Sequence, residues 1–463
     1  MFYLSLKGAI FPMSLRPSPQ TRRVFVLSLP IFAELLLQLL VGNIDQLMIS
    51  RLGSSAVASV GNGNQVMNVV IIVLETMSAA TTILLTQNLG AGGREKACSE
   101  IASVGLTVTA LFSLLMGLLL LLFPHVLFEL LRTPPEAFDG ACLYLRIVGG
   151  TVLIQGLYIQ FCAILRSYTL LKEVVIISGV MNLLNVAGNA LLINGWLGFP
   201  RLGITGAALA TVISKGAGLF LAVRILRQKC PVRFSLKYLS PFPKETFRHL
   251  LGISLPSGME SLSYNVSQIF ILRFINLMGT TVIATKVYAS MLANVAYIYT
   301  IAIAQATQII IGYLLGAQKT EEVTRRVWST TRIAILISEM LTLLLLLFCD
   351  PVYSLFTDDP AIHALGRQIL LVELALELGR SINIIMVKTL TTAGDVWFPV
   401  VIGIFSMWTI SVFGGWLLGH GMAWGLVGIW IAMAFDECFR GLLFTIRFHR
   451  GKWKQKRLVS ERK

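Results

Sequence analysis

Long apolar runs, separated by short polar segments, make up most of the chain. One of them, Leu106–Phe123, contains no charged residue. A membrane-spanning helix needs roughly 20 apolar residues, whereas barrel strands would appear as short alternating segments. The runs therefore predict an all-α membrane protein with twelve spans, at residues 25–49, 62–87, 98–123, 140–164, 173–195, 204–226, 249–275, 281–314, 326–349, 362–390, 397–419 and 424–448.

The composition excludes a soluble protein. Of the 463 residues, 56% are hydrophobic and only 13% are charged, against about 45–50% and 25% in soluble domains. A soluble chain this apolar would expose large hydrophobic patches and aggregate. The partner that the composition predicts is a lipid bilayer, and a water-soluble enzyme of two or three domains is ruled out.

The net charge of +15, from 38 Lys and Arg against 23 Asp and Glu, predicts the orientation. Cytoplasmic loops of membrane proteins are rich in Lys and Arg. The cations concentrate at the two ends and in the mid-chain linker, while Glu129, Glu136 and Asp139 fall in one predicted outer loop. We therefore expect a multi-pass inner-membrane protein with both termini in the cytoplasm, and no nucleic-acid partner.

Five segments follow along the chain. They are a cytoplasmic lead (1–24), a first lobe of six helices (25–227), a basic linker (228–248), a second lobe of six helices (249–449) and a basic tail (450–463). We do not expect the lead to be a signal peptide, because its apolar stretch is short and is followed by arginines without a small-residue cleavage site. Met13 is an alternative to Met1 as the expected start of translation.

The two halves repeat. Ser28-Leu29-Pro30 recurs 226 residues later as Ser254-Leu255-Pro256, and Gly90-Ala91 recurs as Gly316-Ala317 at the same offset. Six spans separate equivalent points, so the repeats are parallel and related by an axis along the membrane normal. This organisation is typical of two-lobed secondary transporters with a central cavity.

Motifs for enzymatic chemistry are absent from the sequence. It contains no G-x-x-x-x-G-K-[ST], no H-E-x-x-H, no G-x-S-x-G and no metal-spaced Cys and His. We therefore expect a transporter rather than an enzyme, with no cofactor and no metal centre. Without an ATP site, uphill transport has to use an ion gradient.

Asp45 is the leading candidate for ion coupling. It lies in the first span after an apolar run, where a charged side chain costs about 2.5–3.5 kcal/mol. A carboxyl in such surroundings readily takes up a proton. The less favoured alternative is a structural carboxyl group that neighbouring amides satisfy. Pro30 removes a backbone hydrogen bond from the same helix and predicts a bend there.

The fifth span offers partners for Asp45. Asn185 and Asn189 are four residues apart and so share one helix face. Asn189 lies about 17 residues after Lys172, a depth similar to that of Asp45. Amides at this depth can hydrogen-bond a carboxyl or ligate a cation, but they also commonly join membrane helices.

The second lobe carries acids at other positions. Ile271 occupies the position equivalent to Asp45. Glu260, Glu373 and Glu377 form a candidate proton or substrate site; the alternative for Glu377 is neutralisation by Arg380, three residues later. We expect Asp436 and Arg440, four residues apart, to form a structural ion pair.

Together these features resemble the multidrug and toxic compound extrusion (MATE) family, in its prokaryotic branch with a first-helix aspartate. The resemblance covers nearly the whole chain and rests on the order and spacing of several segments. They are Pro30-x-x-x-Glu34 with Asp45 and Arg51-Leu52-Gly53, Gln87–Ala91, Asn185–Asn189, Gly203–Thr211, Ala393–Asp395, Trp430–Arg440 and Gly451–Trp453.

The resemblance implies a V-shaped antiporter of two six-helix lobes that exports organic cations in exchange for H⁺ or Na⁺. It implies that Pro30 bends the first helix, that Asp45 and Asn185 belong to the cation site, and that Tyr144 and Thr211 match site positions. Asn189 departs from the family pattern, because many members carry an aspartate there, and this weakens the case for Na⁺ near Asp45.

The predicted function is therefore secondary export of small organic cations by alternating access, from a protein expected to be a monomer. One alternative keeps the fold and flips a lipid-linked saccharide, which would need a basic cavity rim from residues such as Lys215, Arg273 and Lys286. A polytopic membrane enzyme is a third reading, but the five scattered histidines provide no clustered catalytic groups.

Overall fold

The computed structural model describes residues 19–93, 95–456 and 458, without the side chains of residues 19–23, 25 and 236. Most of the predicted cytoplasmic lead, both candidate start residues, Arg94 and most of the final residues of the tail lie outside the described residues.

The first half of the chain folds into eight α-helices in which long helices alternate with tight turns. Their bounds are α1 (Pro19–Ser50), α2 (Ser54–Gly90), α3 (Glu95–Leu122), α4 (Pro124–Leu130), α5 (Pro135–Gly150), α6 (Val152–Ser167), α7 (Leu171–Leu192) and α8 (Gly203–Lys229). A 3₁₀ turn, Trp196–Gly198, precedes α8, and another, Leu236–Leu239, follows it.

The second half repeats this order, and the part of the chain that the structure describes contains no β-strand. Its helices are α9 (Lys244–Asn276), α10 (Thr280–Gly316), α11 (Thr320–Leu347), α12 (Cys349–Tyr353), α13 (Pro360–Thr392), α14 (Trp397–Ser406) and α15 (Gly425–His449). Two π-helical segments, Met407–Gly414 and Leu417–Gly421, extend α14, and a 3₁₀ turn, Lys452–Gln455, follows α15.

Each of the twelve predicted spans coincides with helix in the structure. The fourth span is the bent pair α5 and α6, whose axes differ by 47°. Within the described residues, eight helices are long and apolar enough to cross a membrane by themselves, or nine with this pair. The remaining spans, α9, α13 and α15, are 25 to 33 residues long and contain ionisable residues.

The halves contact each other through their first two helices. α1 packs on α10, and α2 packs on both α9 and α10. α1 continues through Pro30 as one helix, and α9 continues through Pro256. Because Pro30 has no N–H, the carbonyl oxygen of Val26, four residues earlier, lacks its usual helical donor. The all-α, twelve-helix double repeat predicted from the sequence is confirmed.

Candidate functional site

Small residues bring α7 and α8 close together. A Cβ added at Gly188 would lie 2.9 Å from the Cβ of Ala210, and one added at Gly206 would lie 2.6 Å from the carbonyl oxygen of Leu192. Two backbones can approach this closely only where a side chain is missing. The close packing aligns the polar face of α7 with Thr211 on α8.

Asp45 on α1 meets this polar face. The amide nitrogen of Asn189 donates to Asp45 Oδ1 at 2.8 Å. The orientation of the Asn185 amide follows from its partners: with its nitrogen turned toward Asp45, it donates to Oδ1 at 2.9 Å and to Oδ2 at 2.8 Å. In this orientation the amide oxygen of Asn185 faces Thr211 Oγ1, at 3.4 Å. Two residues predicted from the sequence, Asn185 and Asn189, thus contact the carboxyl group, and a third, Thr211, contacts Asn185.

Tyr144 closes the site from α5. Its ring fits against α2 because Gly63 has no side chain, and a Cβ there would lie 2.6 Å from the ring. Its hydroxyl donates to Asn64 Oδ1 at 3.0 Å. Tyr144 also interacts electrostatically with Asp45, so the structure brings all five residues of the predicted cation-coupling set into one cluster.

The amides of this cluster are buried and incompletely satisfied. Asn185 and Asn189 are only 7% and 2% exposed. Among the described residues, Asn189 Oδ1 has no hydrogen-bond partner. Burying an unpaired polar atom is costly, which favours a role for this oxygen in binding something that enters the site.

The predicted acids of the second half form two groups around arginines. The guanidinium of Arg380 donates to Glu373 at 3.2 Å and also to Glu377. Trp430 Nε1 on α15 donates to the other oxygen of Glu373 at 2.7 Å. Glu377 is fully buried, and its Oε2 has no partner in the described part of the chain.

The second group lies on α13 and α15. Arg440 donates to Asp436 and to Glu437, both at 2.8 Å, which confirms the predicted ion pair with Asp436. Asn383 donates to Glu437 at 2.7 Å. Two arginines therefore face four carboxyl groups in the two clusters, so complete ionisation would leave two negative charges in excess.

Glu260 is separate from the Glu373–Glu377 pair. It interacts electrostatically with Arg440, Lys388 and Glu437. Ile271, at the position equivalent to Asp45, is buried in an apolar cluster. The two halves therefore place their carboxyl groups differently, despite their common architecture.

Sequence reasoning missed a set of ionisable residues that links the two halves through Lys388 on α13. Arg166 on α6 contacts Glu34 on α1 at 2.6 Å, with the Glu34 side chain 3% exposed. Glu75 on α2 interacts electrostatically with both Arg166 and Lys388. The recurrence of Glu34 as Glu260 in the repeat was an available signal, but nothing along the chain identified the basic partners.

Comparison with a family model supports the repeat. The model named MatE matches residues 30–191 and again residues 256–417. The two matches begin 226 residues apart, at Pro30 and Pro256, which is the offset found in the sequence. Together they cover more than half of the chain.

Relatives match over almost their whole length. The chain is 34% identical to the uncharacterized transporter YisQ of Bacillus subtilis strain 168, covering 97% of this chain and 99% of the relative. It is 25% identical to a Thermotoga maritima protein named "Probable multidrug resistance protein NorM", covering 96% and 95%.

Solved structures with similar folds include a transporter of the MOP superfamily from Pyrococcus furiosus, with a TM-score of 0.85 and 20% identity over 95% of this chain and 98% of that one. A structure described as MATE in the bent conformation gives a TM-score of 0.86 with 19% identity, covering 95% and 97%.

Proposed function

The chain belongs to the MatE family of transporters, and we propose that it is a secondary antiporter that exports small organic cations in exchange for H⁺ or Na⁺ at Asp45. We place it in the inner membrane as a multi-pass protein with both termini in the cytoplasm, and as a monomer. The observation that carries the proposal is the cluster of Asn185, Asn189, Thr211 and Tyr144 around a single carboxyl group inside a membrane helix.

This cluster suits a coupling site because its occupant changes the charge of one partly buried carboxyl group, Asp45. When Asp45 is ionised, the amide nitrogens of Asn185 and Asn189 stabilise its oxygens. When Asp45 takes up a cation, the negative charge is cancelled and the carboxyl group no longer needs both donors. The bound state therefore favours a different packing of α1 against α7.

Pro30 supplies a place where α1 can change shape. The missing hydrogen bond at the Val26 carbonyl lowers the cost of bending. We propose that cation uptake at Asp45 biases α1 between two shapes and so couples the ion to the opening of the cavity. Linkage then requires that a bound organic cation weaken binding of the coupling ion by the same factor as the ion weakens binding of the substrate.

The acids of the second half support a cationic substrate. The surplus of carboxyl groups around Arg380 and Arg440 attracts positive charge, and the unpartnered oxygen of Glu377 can accept a proton or a donor group. We propose Glu373 and Glu377 as a second-lobe proton or substrate site, with Glu260 as a separate contributor. The names of several relatives as multidrug resistance proteins agree with this substrate class.

Proteoliposomes test the proposal directly. Efflux of a fluorescent organic cation such as ethidium is measured under a pH gradient and, separately, under a sodium gradient. We expect wild-type efflux under at least one gradient and its loss in Asp45→Asn, a substitution that preserves shape. Asp358→Asn is the matched control, because Asp358 is exposed and lies in a predicted outer loop.

Unchanged efflux by a well-folded Asp45→Asn protein would contradict the role of Asp45. Transport of a lipid-linked saccharide, with no efflux of organic cations, would instead favour the flippase alternative. The charge near Asp45 does not favour that alternative, because Lys215 interacts with the Asp45 carboxyl group and so does not contribute a free positive charge to a basic rim.

A further inference from the structure

One cation of the first half, Lys215, interacts electrostatically with the Asp45 carboxyl group. Lys215 lies on α8 four residues after Thr211, and hence on the same helix face. Its side chain is partly buried, and it interacts electrostatically with Asp45. Among the residues that the structure describes, no carboxylate oxygen lies within 4.0 Å of the Lys215 ammonium nitrogen, the distance that defines an ion pair.

A lysine in the middle of a membrane helix is costly unless it finds a partner. Among the described residues, Asp45 is the one acid that acts on Lys215 electrostatically. The other helices around the site contribute neutral groups, namely the α7 amides and the Tyr144 hydroxyl. The site therefore contains one negative and one positive charge, and its net charge is zero when both groups are ionised.

An acceptor for the lysine is also present. Asn189 Oδ1 is buried without a partner among the described residues, and it belongs to the same amide whose nitrogen contacts Asp45. An ammonium group has three donors and a flexible four-carbon stem. The cluster therefore contains two acceptors of the kind that an ammonium group binds, the Asp45 carboxyl group and Asn189 Oδ1.

A sodium ion needs the same features that the lysine uses. Hard cations are bound by oxygen ligands, preferably charged ones. Here the single carboxylate is shared with an ammonium group, and the amides of Asn185 and Asn189 turn N–H groups toward it. A second positive charge at this position would be repelled by the first.

We propose that Lys215 determines the coupling ion, by acting as a tethered cation that excludes Na⁺ from the Asp45 site. This inference rests on the proposed function of Asp45 in coupling. It assigns Lys215 a role in specificity and leaves the proton as the ion that the site exchanges. The lysine and a sodium ion compete for the same oxygens, and the lysine has the advantage of being attached to the site.

Binding of ²²Na⁺ to the purified full-length protein tests this without requiring transport. We expect no saturable binding to wild type or to Lys215→Arg, which keeps the charge. Lys215→Met and Lys215→Gln should bind Na⁺ saturably, with a Kd at least about tenfold below the lower limit that the assay sets for wild type, as expected when a nearby like charge is removed. This binding should disappear when Asp45→Asn is added.

Lys286→Met is the matched control. Lys286 is likewise partly buried in a membrane helix, α10, but it lies in the other half of the chain, and its removal should leave Na⁺ binding at the wild-type level. In proteoliposomes, Lys215→Met should also gain a response to a sodium gradient that wild type lacks.

Two results would overturn the inference: equal Na⁺ affinity in wild type and Lys215→Met, or no Na⁺ binding by folded Lys215→Met and Lys215→Gln. Failure of the proposed function appears differently. In that case neither gradient drives efflux of organic cations by wild type, whatever the pattern of ²²Na⁺ binding.

Discussion

Gly90 at the end of α2 and Gly316 at the end of α10 are equivalent in the repeat, and each lies directly against the backbone of the other helix. A Cβ at Gly90 would overlap the carbonyl oxygen of Tyr313, and one at Gly316 would overlap the carbonyl oxygen of Gln87. The two halves therefore contact each other at a nearly symmetric crossing of α2 and α10, on the side predicted to face the cytoplasm.

Replacing either glycine by alanine should separate the halves at this crossing. Backbone carbonyl groups cannot rotate away as a side chain can, so we expect Gly316→Ala to destabilise the protein by about 1–3 kcal/mol, as overpacking does. Thermal unfolding in detergent measures this change, and Gly90→Ala should behave similarly.

Gly61→Ala is the control for the same helix. An added Cβ at Gly61 meets nothing within 4 Å, so this substitution should be neutral or slightly stabilising, as alanine is in a helix. If Gly61→Ala and Gly316→Ala lower the unfolding temperature equally, the crossing is not a constrained contact.

The ion pair between Glu34 and Arg166 predicts a second effect on the stability of the fold. Their 2.6 Å pair is buried on the glutamate side. Glu34→Gln leaves the guanidinium without its carboxylate, and breaking a buried pair in this way costs about 3 kcal/mol or more. Glu173→Gln, which breaks the 2.7 Å pair with the half-exposed Lys229, should cost less than about 1 kcal/mol.

The double substitution Glu34→Leu with Arg166→Met tests whether the destabilisation comes from leaving one charged partner unpaired. Replacing both partners by apolar residues should recover most of the stability. If Glu34→Gln has no effect on the unfolding temperature, the pair does not contribute to stability in the way that its burial indicates.

Hydropathy predicted the helices well because a membrane span has to be apolar over its whole length. Even α13, which carries Glu373, Glu377 and Arg380, was predicted as the span 362–390, because the rest of that run is largely apolar. The 47° break between α5 and α6 was not predicted, because the largely apolar run continues through Gly149, Gly150 and Thr151 without a proline.

Part of the candidate site also followed from the sequence. Equal depth in two helices that both run outward placed Asn189 beside Asp45, and the structure has them in contact at 2.8 Å. The depth of a residue in the membrane does not indicate the direction in which its side chain points from the helix axis. Lys215 was therefore not assigned to Asp45, nor Arg166 to Glu34, because these pairs depend on how α8 and α6 rotate toward α1.

The hydrogen bond from Asn189 predicts a loss of transport that does not depend on folding. Asn189→Ala removes a donor to a charged oxygen, an interaction worth about 1.5–3 kcal/mol, so efflux should fall by roughly tenfold or more. Asn182→Ala is the control, because Asn182 is also buried on α7 but its amide nitrogen has no partner among the described residues.

Initial rates of ethidium efflux, normalised to protein in the liposomes, measure both variants. Asn182→Ala should stay within about twofold of wild type, since it removes no bond to Asp45. Equal losses in the two variants would show that α7 packing, rather than the contact with Asp45, is what efflux requires.

Asp395, in the turn between α13 and α14, predicts a pH-dependent stability. Arg447 donates to its two oxygens at 2.7 and 3.1 Å, and Lys456 donates at 2.8 Å. Burial acts to raise the pKa of Asp395, but the hydrogen bonds from Arg447 and Lys456 outweigh it and hold the pKa below the usual range. The ionised carboxylate thus fastens the end of α15 and the following residues to this turn.

Because the pKa is lower in the folded state, the stabilisation is fully present above the unfolded value of about 3.9 and is lost as the pH falls through the folded value. Asp395→Asn should lower stability by about 1.5–3 kcal/mol at neutral pH, and its difference from wild type should shrink below about pH 4. Thermal unfolding across this pH range measures the difference. Asp358→Asn, which changes an exposed acid, should follow wild type throughout, and a deficit in Asp395→Asn that stays constant with pH would contradict the ionic origin of the contact.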